Sequence, residues 1–370
     1  MSEPITYAAA GVDTAAGDKA VELMKDAVRA THGPQVIGGV GGFAGLWDAS
    51  ALIGYRRPVL ATSTDGVGTK VAIARAMDVH DTIGFDLVGM VVDDIVVVGA
   101  KPLFMTDYIA CGRVVPERIA DVVRGIAAAC RVAGTALLGG ETAEHPGLLA
   151  PDEYDVAGAA TGVVEADAML GAERVRAGDV LVALGSSGLH SNGYSLVRAA
   201  VAAAGWSLDR HVDELGRTLG AELLEPTRVY ASDVLALAAG GRVHAVSHVT
   251  GGGLAANLAR VLPAGLVADV DRGSWTVPPV FGLVQRLGKV PWQDLERTLN
   301  VGVGMILVAE AEACDELVAH ARSLGLAAWE LGRVRGLDAE RDRIGSRDLV
   351  AGTKGVDGGA VRLTGAYRVD

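Results

Sequence analysis

Four glycine-rich segments carry the residue types needed to bind an anion. Backbone amides beside glycines can approach a phosphate without a side chain in the way. The chain has 50 glycines in 370 residues, about twice the usual share, which indicates close backbone approach to a ligand. The segments are GGVGGFAG (38–45), STDGVGTK (63–70), SSGLHSNGYS (186–195) and HVTGGGL (248–254).

The first segment satisfies a dinucleotide-binding pattern only formally. Gly39, Gly41 and Ala44 fit G-x-G-x-x-A, and Asp65 follows at about the distance of the ribose-binding acid. That pattern requires a strand before it and a long helix after it. No convincing strand precedes Gly39, and helix-breaking residues follow as far as Pro58. The sequence therefore argues against a Rossmann site.

The second segment is similar to a phosphate loop, but Thr69 rather than glycine precedes Lys70, which departs from the Walker pattern. Two interpretations remain open. In one, Asp65 ends a buried strand and binds Mg²⁺ while the turn amides face a phosphate. In the other, Asp65 and Gly66 form an ordinary hairpin turn.

Acidic residues occur in two unexpected places. The run DLVGMVVDD puts Asp86, Asp93 and Asp94 in an otherwise apolar helix. GGETAEH puts Glu141 and Glu144 after a buried strand. A solvated helix edge and turn capping are the ordinary explanations. The neighbouring valines leave little polar face, so buried partners or a hard cation on ATP phosphates are the alternative.

The third and fourth segments precede predicted helices, where free backbone amides favour a phosphate. His190, Ser191 and Asn192 lie in the third segment, and Thr250 precedes three glycines in the fourth. Helix capping by Ser191 or Thr250 is the ordinary alternative. His190 and His248 can likewise be structural histidines whose hydrogen bonds are satisfied within the fold.

Length and composition restrict the class of protein. A chain of 370 residues accommodates two domains, each with its own core. The formal net charge of -12 argues against nucleic acid, whose binding needs clustered lysine and arginine. No apolar run is long enough to cross a bilayer, and Glu3 and Asp13 do not fit a secretory signal. Cys111, Cys130 and Cys314 lack metal-type spacing. We therefore expect a cytoplasmic protein.

Hydrophobic periodicity predicts mixed helices and strands in both halves, and hence a two-domain α/β or α+β fold. A weakly patterned stretch sets the expected boundary near residue 170, giving an N-terminal domain (1–170) and a C-terminal α/β domain (171–336). Residues 337–370 are polar and glycine-rich, and we expect a flexible tail. The main predicted elements are helices over 18–31, 82–98 and from Pro116, and strands over 58–64, 103–110, 154–164, 179–185 and 327–334.

Taken together, the motifs resemble the AIR synthetase family. So many long matches in the same order are highly specific, and they cover nearly the whole chain. Two departures are Ala9, where relatives often carry Asp, and Asp93, where they often carry Asn. The matching segments are TYAAAGVDTAAG, GGFAGLW, STDGVGTK, HDTIGFDLVGMVVDDIVVVGAKPLF, GGETAEHPG, SSGLHSNGYSLVR, PTRVY, HVTGGGL, RTLNVGVGM and AWELGRV.

The resemblance implies a fold and a reaction. The N-terminal strands of two chains would form a shared barrel across a homodimer, with ATP and substrate between the domains of each chain. The reaction would convert formylglycinamidine ribonucleotide and ATP to aminoimidazole ribonucleotide, ADP and phosphate, in de novo purine biosynthesis. Selenophosphate synthetase and thiamine-monophosphate kinase share the superfamily.

The resemblance also implies residue roles. The acids expected to hold Mg²⁺ are Asp65, Asp94 and Glu141. The residues expected to contact the nucleotide are Lys25, Asp65, Gly66, Gly68 and Lys70. The residues expected to contact the substrate are His190, Ser191, Asn192, Thr250, Gly251, Gly252 and Gly253. The catalytic candidates are His190, His248 and Lys70, with either histidine as a proton acceptor.

Two alternatives compete with this interpretation. Selenophosphate synthetase would need a reactive cysteine or selenocysteine near the N-terminus, whereas the first cysteine here is Cys111. A nucleotide sensor would bind ATP without turnover, but the retained acids and Lys70 give no sign of lost chemistry.

Overall fold

The computed structural model describes residues 11, 13–338, 342, 348–352 and 358–369. The chain divides into two compact units. The first contains the described residues up to Ile95 together with Lys101–Ala166, and the second contains Val96–Ala100 and the described residues from Asp167 onward. Most of the motif TYAAAGVDTAAG, including Ala9, lies outside the described residues.

The first unit is built on a four-stranded sheet. Its helices are α1 (Thr14–Arg29), α2 (Val71–Met77), α3 (Ile83–Val96) and α4 (Pro116–Ala133). Its strands are β1 (Val36–Ile37), β2 (Leu46–Trp47), β3 (Pro58–Gly66), β4 (Lys101–Cys111), β5 (Ala136–Glu144) and β6 (Tyr154–Glu165). The sheet order is β3-β6-β4-β5. Only β4 and β5 run parallel, and β1 pairs with β2 separately.

Helices α3 and α4 pack on one face of this sheet. The Leu87 side chain of α3 lies at Gly158 of β6 and the Ile95 side chain lies at Gly162, so the helix follows the strand. A Cβ atom on Gly84 would lie only 2.1 Å from the backbone of Gly125 in α4. The expected helix over 82–98 is confirmed, because its length decided the choice between helix and strand despite its valines.

Part of the opposite sheet face is exposed. Side chains alternate between the two faces of a strand, and the outward set includes Leu60 on β3 and Tyr108 on β4. Leu60 is 61% exposed and Tyr108 is 41% exposed.

The second unit is built on a seven-stranded sheet. Its helices are α5 (Tyr194–Ala203), α6 (Leu219–Leu223), α7 (Ala231–Ala238), α8 (Gly253–Ala259), α9 (Pro279–Gly288), α10 (Trp292–Leu295) and α11 (Cys314–Ser323). Its strands are β7 (Val180–Gly185), β8 (His211–Val212), β9 (Arg217–Thr218), β10 (Val243–His248), β11 (Leu266–Asp271), β12 (Thr276–Val277), β13 (Val303–Ala309), β14 (Ala328–Gly336), β15 (Leu349–Ala351), β16 (Ala360–Thr364) and β17 (Arg368–Val369). The large sheet has the order β10-β13-β7-β14-β11-β16-β15.

The C-terminal segment belongs to this sheet. Strand β16 pairs in parallel with β11 from Ala360 to Thr364, and its Val361 and Leu363 side chains are buried in the core. The expectation of a flexible tail over 337–370 is therefore wrong for these residues. Their alternating apolar side chains pack against the core. The polar residues around them in the sequence concealed this pattern.

Among the described residues, none of the helices combines the length and apolar character needed to span a bilayer. The expected mixture of helices and strands in two domains is confirmed, with β7 and β14 at the expected positions of the second half.

Candidate active site

Two glycine turns of the second unit lie side by side. We call Ser187–Gly193 the first turn and Thr250–Gly253 the second turn. The Oδ1 atom of Asn192 lies 3.1 Å from the position that a Cβ atom on Gly251 would occupy. The structure therefore brings together the two segments expected to contact the substrate.

A buried amide holds the second turn. Asn257 is 3% exposed, and its Nδ2 donates to the carbonyls of Thr250 at 3.1 Å and Gly253 at 2.9 Å. Gly252 and Gly253 have φ of 103° and 75°, the region that favours glycine. The sequence reasoning missed Asn257, although an asparagine in the apolar helix LAANLARVL was a usable signal.

The histidine of the first turn has a positioning contact. His190 is 2% exposed and has φ of 62°. The backbone N–H of Ser187 donates to its Nε2 at 3.2 Å, so this nitrogen already accepts a hydrogen bond. Ser191 and His248 are also buried. This geometry favours a role for His190 in shaping the turn over a role as a free proton acceptor.

Lys70 lies inside the first unit. Its Nζ donates to Oδ1 of Asp86 at 2.7 Å, and both side chains are fully buried. The expectation that Lys70 meets ATP phosphates is therefore not supported, because its ammonium is engaged by a buried carboxylate. The pair also explains why an acid occurs within the apolar helix α3.

The turn around Asp65 is not a hairpin. Strand β3 pairs with β6 as far as Gly66, and a 3₁₀ turn over Gly68–Lys70 then leads directly into α2. Asp65 is exposed at the strand end, and its Oδ1 accepts the N–H of Gly66 at 2.7 Å. The local geometry is that of a strand-end carboxylate beside a glycine turn.

The three acids expected to hold Mg²⁺ are exposed but dispersed. Asp65 and Glu141 lie on β3 and β5, the two edge strands of the sheet, about 14 Å apart across three strand spacings. Asp94 precedes Ile95, which packs at Gly162 of β6, whereas Asp65 pairs with Gly158 of the same strand. These two glycines are roughly 13 Å apart along β6, so Asp94 and Asp65 are also well separated. No metal-holding group of three His, Cys, Asp or Glu side chains occurs among the described residues.

The ordinary explanation holds for Glu144. Its carboxylate oxygens accept the backbone N–H groups of Asp13 and Val114, both at 2.6 Å. Glu144 therefore satisfies backbone donors at the end of β5, as its turn-capping interpretation predicted.

Comparison with known proteins places these features in a family. Residues 47–164 match the N-terminal domain, and residues 176–343 the C-terminal domain, of AIR synthase related proteins. A phosphoribosylformylglycinamidine cyclo-ligase of Geobacillus sp. is 50% identical over 330 residues, covering 89% of this chain and 95% of that protein. One from Anaeromyxobacter sp. is 52% identical over 333 residues, covering 89% and 96%. The chain belongs to the phosphoribosylformylglycinamidine cyclo-ligase family. The resemblance seen in the motifs is thus confirmed, and with it the assignment to a ligase.

Solved structures agree with the fold. Thiamine-monophosphate kinase from Stenotrophomonas maltophilia superposes with a TM-score of 0.64 at 21% identity, covering 93% of this chain and 96% of that chain. The E. coli hydrogenase maturation protein HypE gives 0.62 at 21% identity, covering 94% and 92%. At this identity the likeness concerns the fold alone.

The cyclo-ligase chain also has a cavity in its first unit. The cavity has a volume of about 520 Å³ and is lined by one face of α1, by the glycine loop 38–45 and by β4 and β5. Met24 of α1 lines it, directly before the expected nucleotide contact Lys25, which is half-buried. The loop leads into β2 and not into a helix, which agrees with the argument against a Rossmann site.

Asp107 is an acid of this cavity that the sequence reasoning did not select. It lies on β4 opposite Gly140 of β5, and a Cβ atom on Gly140 would lie 1.8 Å from its Oδ1. Burial raises the pKa of the Asp107 carboxyl to about 7, against a smaller lowering by its own backbone N–H. The alternation Met105, Asp107, Ile109 on the buried face of β4 was the available signal.

Replacing Asp107 by Asn should change how stability depends on pH. The pKa of Asp107 is higher in the folded chain than the value of about 4 expected when unfolded, so wild-type stability is lost as pH rises from about 4 to 7. The side-chain amide of Asn does not ionise in this pH range. Asp107→Asn should therefore become more stable than wild type by on the order of 1 to 4 kcal/mol at pH 7.5, with the smallest difference near pH 4.

Urea unfolding from pH 4 to 8 measures this difference. The matched control is Asp155→Asn, which removes an exposed acid of the same sheet and should leave the pH dependence unchanged. A stability difference for Asp107→Asn that is constant with pH would contradict the assignment of the raised pKa.

Proposed function

We propose that this chain is a cytoplasmic enzyme that converts formylglycinamidine ribonucleotide and ATP to aminoimidazole ribonucleotide, ADP and phosphate in purine biosynthesis. The observation that carries the proposal is the identity of 50% and 52% to phosphoribosylformylglycinamidine cyclo-ligases over 89% of the chain. The proposal assigns the ribonucleotide to the two adjacent glycine turns of the second unit.

Ring closure needs a better leaving group than a formyl oxygen. Transfer of the γ-phosphoryl group breaks its bond to ADP and forms a bond to the formyl oxygen. An amidine nitrogen then attacks the formyl carbon, the carbon–oxygen bond breaks, and phosphate and a proton leave. The nucleophile and the activated carbon belong to the same substrate molecule. The protein therefore accelerates ring closure mainly by holding the substrate in a conformation that brings these two atoms together.

The two glycine turns are suited to hold the ribonucleotide. Their backbone amides and the side chains of Asn192 and Thr250 are neutral hydrogen-bond donors. A phosphate or the ribose hydroxyls can accept hydrogen bonds from them. Asn257 and His190 hold the backbone of the two turns in place. We assign Ser191 and Gly251–Gly253 to the same substrate surface.

The nucleotide belongs with the first unit in this proposal. Mg²⁺ that arrives with ATP keeps several waters and needs only one or two carboxylates, so each of the dispersed acids fits such an ion singly, although the three do not fit as one triad. Exposed Asp65, Asp94 and Glu141 can each hold it, and the ion supplies charge neutralisation on the phosphates. Lys25 and the turn amides at Gly66 and Gly68 complete the set.

A homodimer would cover the exposed sheet face of the first unit. Leu60 and Tyr108 on that face would be buried by the same face of a second copy, and β3 and β5 would gain neighbours at their open edges. This is the shared barrel that the family resemblance implies.

The first test is activity of the purified protein. Aminoimidazole ribonucleotide and ADP should form in equal amounts, and only when ATP, Mg²⁺ and formylglycinamidine ribonucleotide are all present. Turnover of ATP with selenide or thiamine phosphate instead would overturn the proposal.

The second test separates two adjacent acids of α3. Asp94 is exposed and Asp93 is fully buried, so only Asp94 is open to a ligand. Asp94→Asn should lower ATP turnover by at least about tenfold, or roughly 1.4 kcal/mol at the transition state, while Asp93→Asn stays near wild type. Steady-state kinetics over a Mg²⁺ titration, on variants shown to be folded, gives both values. A damaged Asp93→Asn beside a healthy Asp94→Asn would reverse the assignment.

The third test concerns the dimer. Light scattering at micromolar concentration should give the mass of two chains for the wild type. Leu60→Glu should shift it toward one chain, because a charge on the covered face is costly to bury. Leu324→Glu, on an exposed leucine of the second unit, is the control and should remain a dimer. A fully active wild-type monomer would refute this part of the proposal.

A further inference from the structure

One short segment of the second unit contacts both glycine turns. We call Glu296–Asn300 the bracket. A Cβ atom on Gly253 of the second turn would lie 1.8 Å from the carbonyl oxygen of Glu296 and 3.1 Å from Cα of Arg297. The backbone of the second turn therefore rests directly on the backbone of the bracket, at a position only glycine can occupy.

The other end of the bracket holds the first turn. Asn300 is 3% exposed, and its Nδ2 donates to the carbonyl of Gly188 at 2.9 Å. Its Oδ1 accepts the hydroxyl of Ser186 at 3.1 Å and the N–H of Gly302 at 2.8 Å. A Cβ atom on Gly193 would lie 2.3 Å from the side chain of Leu299. The relative placement of the two turns thus depends on five consecutive residues.

The Glu296 side chain is fixed by a buried network. Arg272 donates to both of its oxygens, from Nε at 2.8 Å and from the terminal nitrogen at 2.9 Å. The hydroxyl of Tyr367 donates to Oε2 at 2.7 Å. The Tyr367 ring lies 5.2 Å from the ring of Trp292 and 5.5 Å from that of Trp275. Burial, followed by the charge of Glu296, raises the pKa of Tyr367 well above its usual range, so its hydroxyl remains a donor at neutral pH.

This network reaches beyond the matched domains. The C-terminal domain match ends at residue 343, whereas Tyr367 follows β16 near the C-terminus. The side chains of Leu349, Val350 and Leu363 from the C-terminal strands line a cavity of about 290 Å³ together with Gly252 and the bracket. The C-terminal segment is therefore placed behind the second turn.

We propose that the bracket is a positioning element that sets the spacing of the two glycine turns for the ribonucleotide, and that Tyr367 holds it through Glu296. This inference rests on the proposed function. Cyclisation and phosphoryl transfer both depend on the position of the bound chain, and a small displacement of one turn weakens binding of the substrate that spans both. Neither Tyr367 nor Glu296 touches reacting atoms in this account.

Kinetics of Tyr367→Phe test the proposal. The variant removes one hydroxyl and retains the Arg272–Glu296 ion pair, so the chain should fold. KM for formylglycinamidine ribonucleotide should rise by about fivefold or more, with KM for ATP within about twofold of wild type. Glu296→Gln, which weakens the same network from its centre, should show the same selective change. The matched control is Tyr154→Phe, which deletes the hydroxyl of a buried tyrosine paired with His80 in the first unit.

The outcomes are distinguishable. A merely structural network would lower the thermal midpoint of both variants without separating the two KM values, and that result would overturn the positioning role. An equal rise in both KM values would overturn it as well. Wild-type protein that forms no aminoimidazole ribonucleotide would instead remove the proposed function, and the inference with it. An active wild type with unchanged variants would remove the inference alone.

Discussion

Close contact between backbones at glycine is the constraint on which both units depend. In the first unit α3 meets α4 where Gly84 faces Gly125, and in the second unit β14 approaches β11 where a Cβ on Gly332 would lie 1.9 Å from the carbonyl of Asp269. Gly253 approaches Glu296 in the same way. A methyl group at any of these positions would push two elements apart. The abundance of glycine therefore reflects packing within the protein as well as space for a ligand.

The sequence predicted the elements better than their arrangement. The helices α3 and α4 and the strands β3, β4 and β6 follow from length and periodicity, which are local properties. The parallel pairing of β16 with β11 joins segments almost a hundred residues apart, and nothing local specifies it. Strand β16 escaped detection because its short apolar alternation, Val361 and Leu363, is surrounded by glycines and charges that resemble a tail.

The sequence grouped two turn segments that lie side by side in the fold, but it did not reveal which charged side chains are buried. The segments containing Asn192 and Gly251 were selected as one substrate surface, and the fold puts them in contact. Lys70 was selected for its charge, but the fold pairs it with Asp86 inside the protein. Residue type and spacing do not reveal such a partner. Asn300 was missed because a single polar residue in a turn has no distinctive spacing.

In the proposed function the two units recognise different ligands, and their construction differs. The turns of the second unit are held from behind by Asn257 and Asn300, through buried hydrogen bonds that leave the backbone little freedom. Such rigidity suits an intramolecular closure, whose rate depends on the placement of one atom against another. The acids of the first unit are exposed and separated, and the glycine loop 38–45 carries a fully exposed Phe43. A nucleotide that brings its own cation can be recognised largely through charge. The side chains that bind it therefore need less accurate positioning before the nucleotide arrives. In the proposed reaction, the second unit therefore provides the accurate positioning of the substrate. The bracket makes this possible because it fixes the spacing of the two glycine turns.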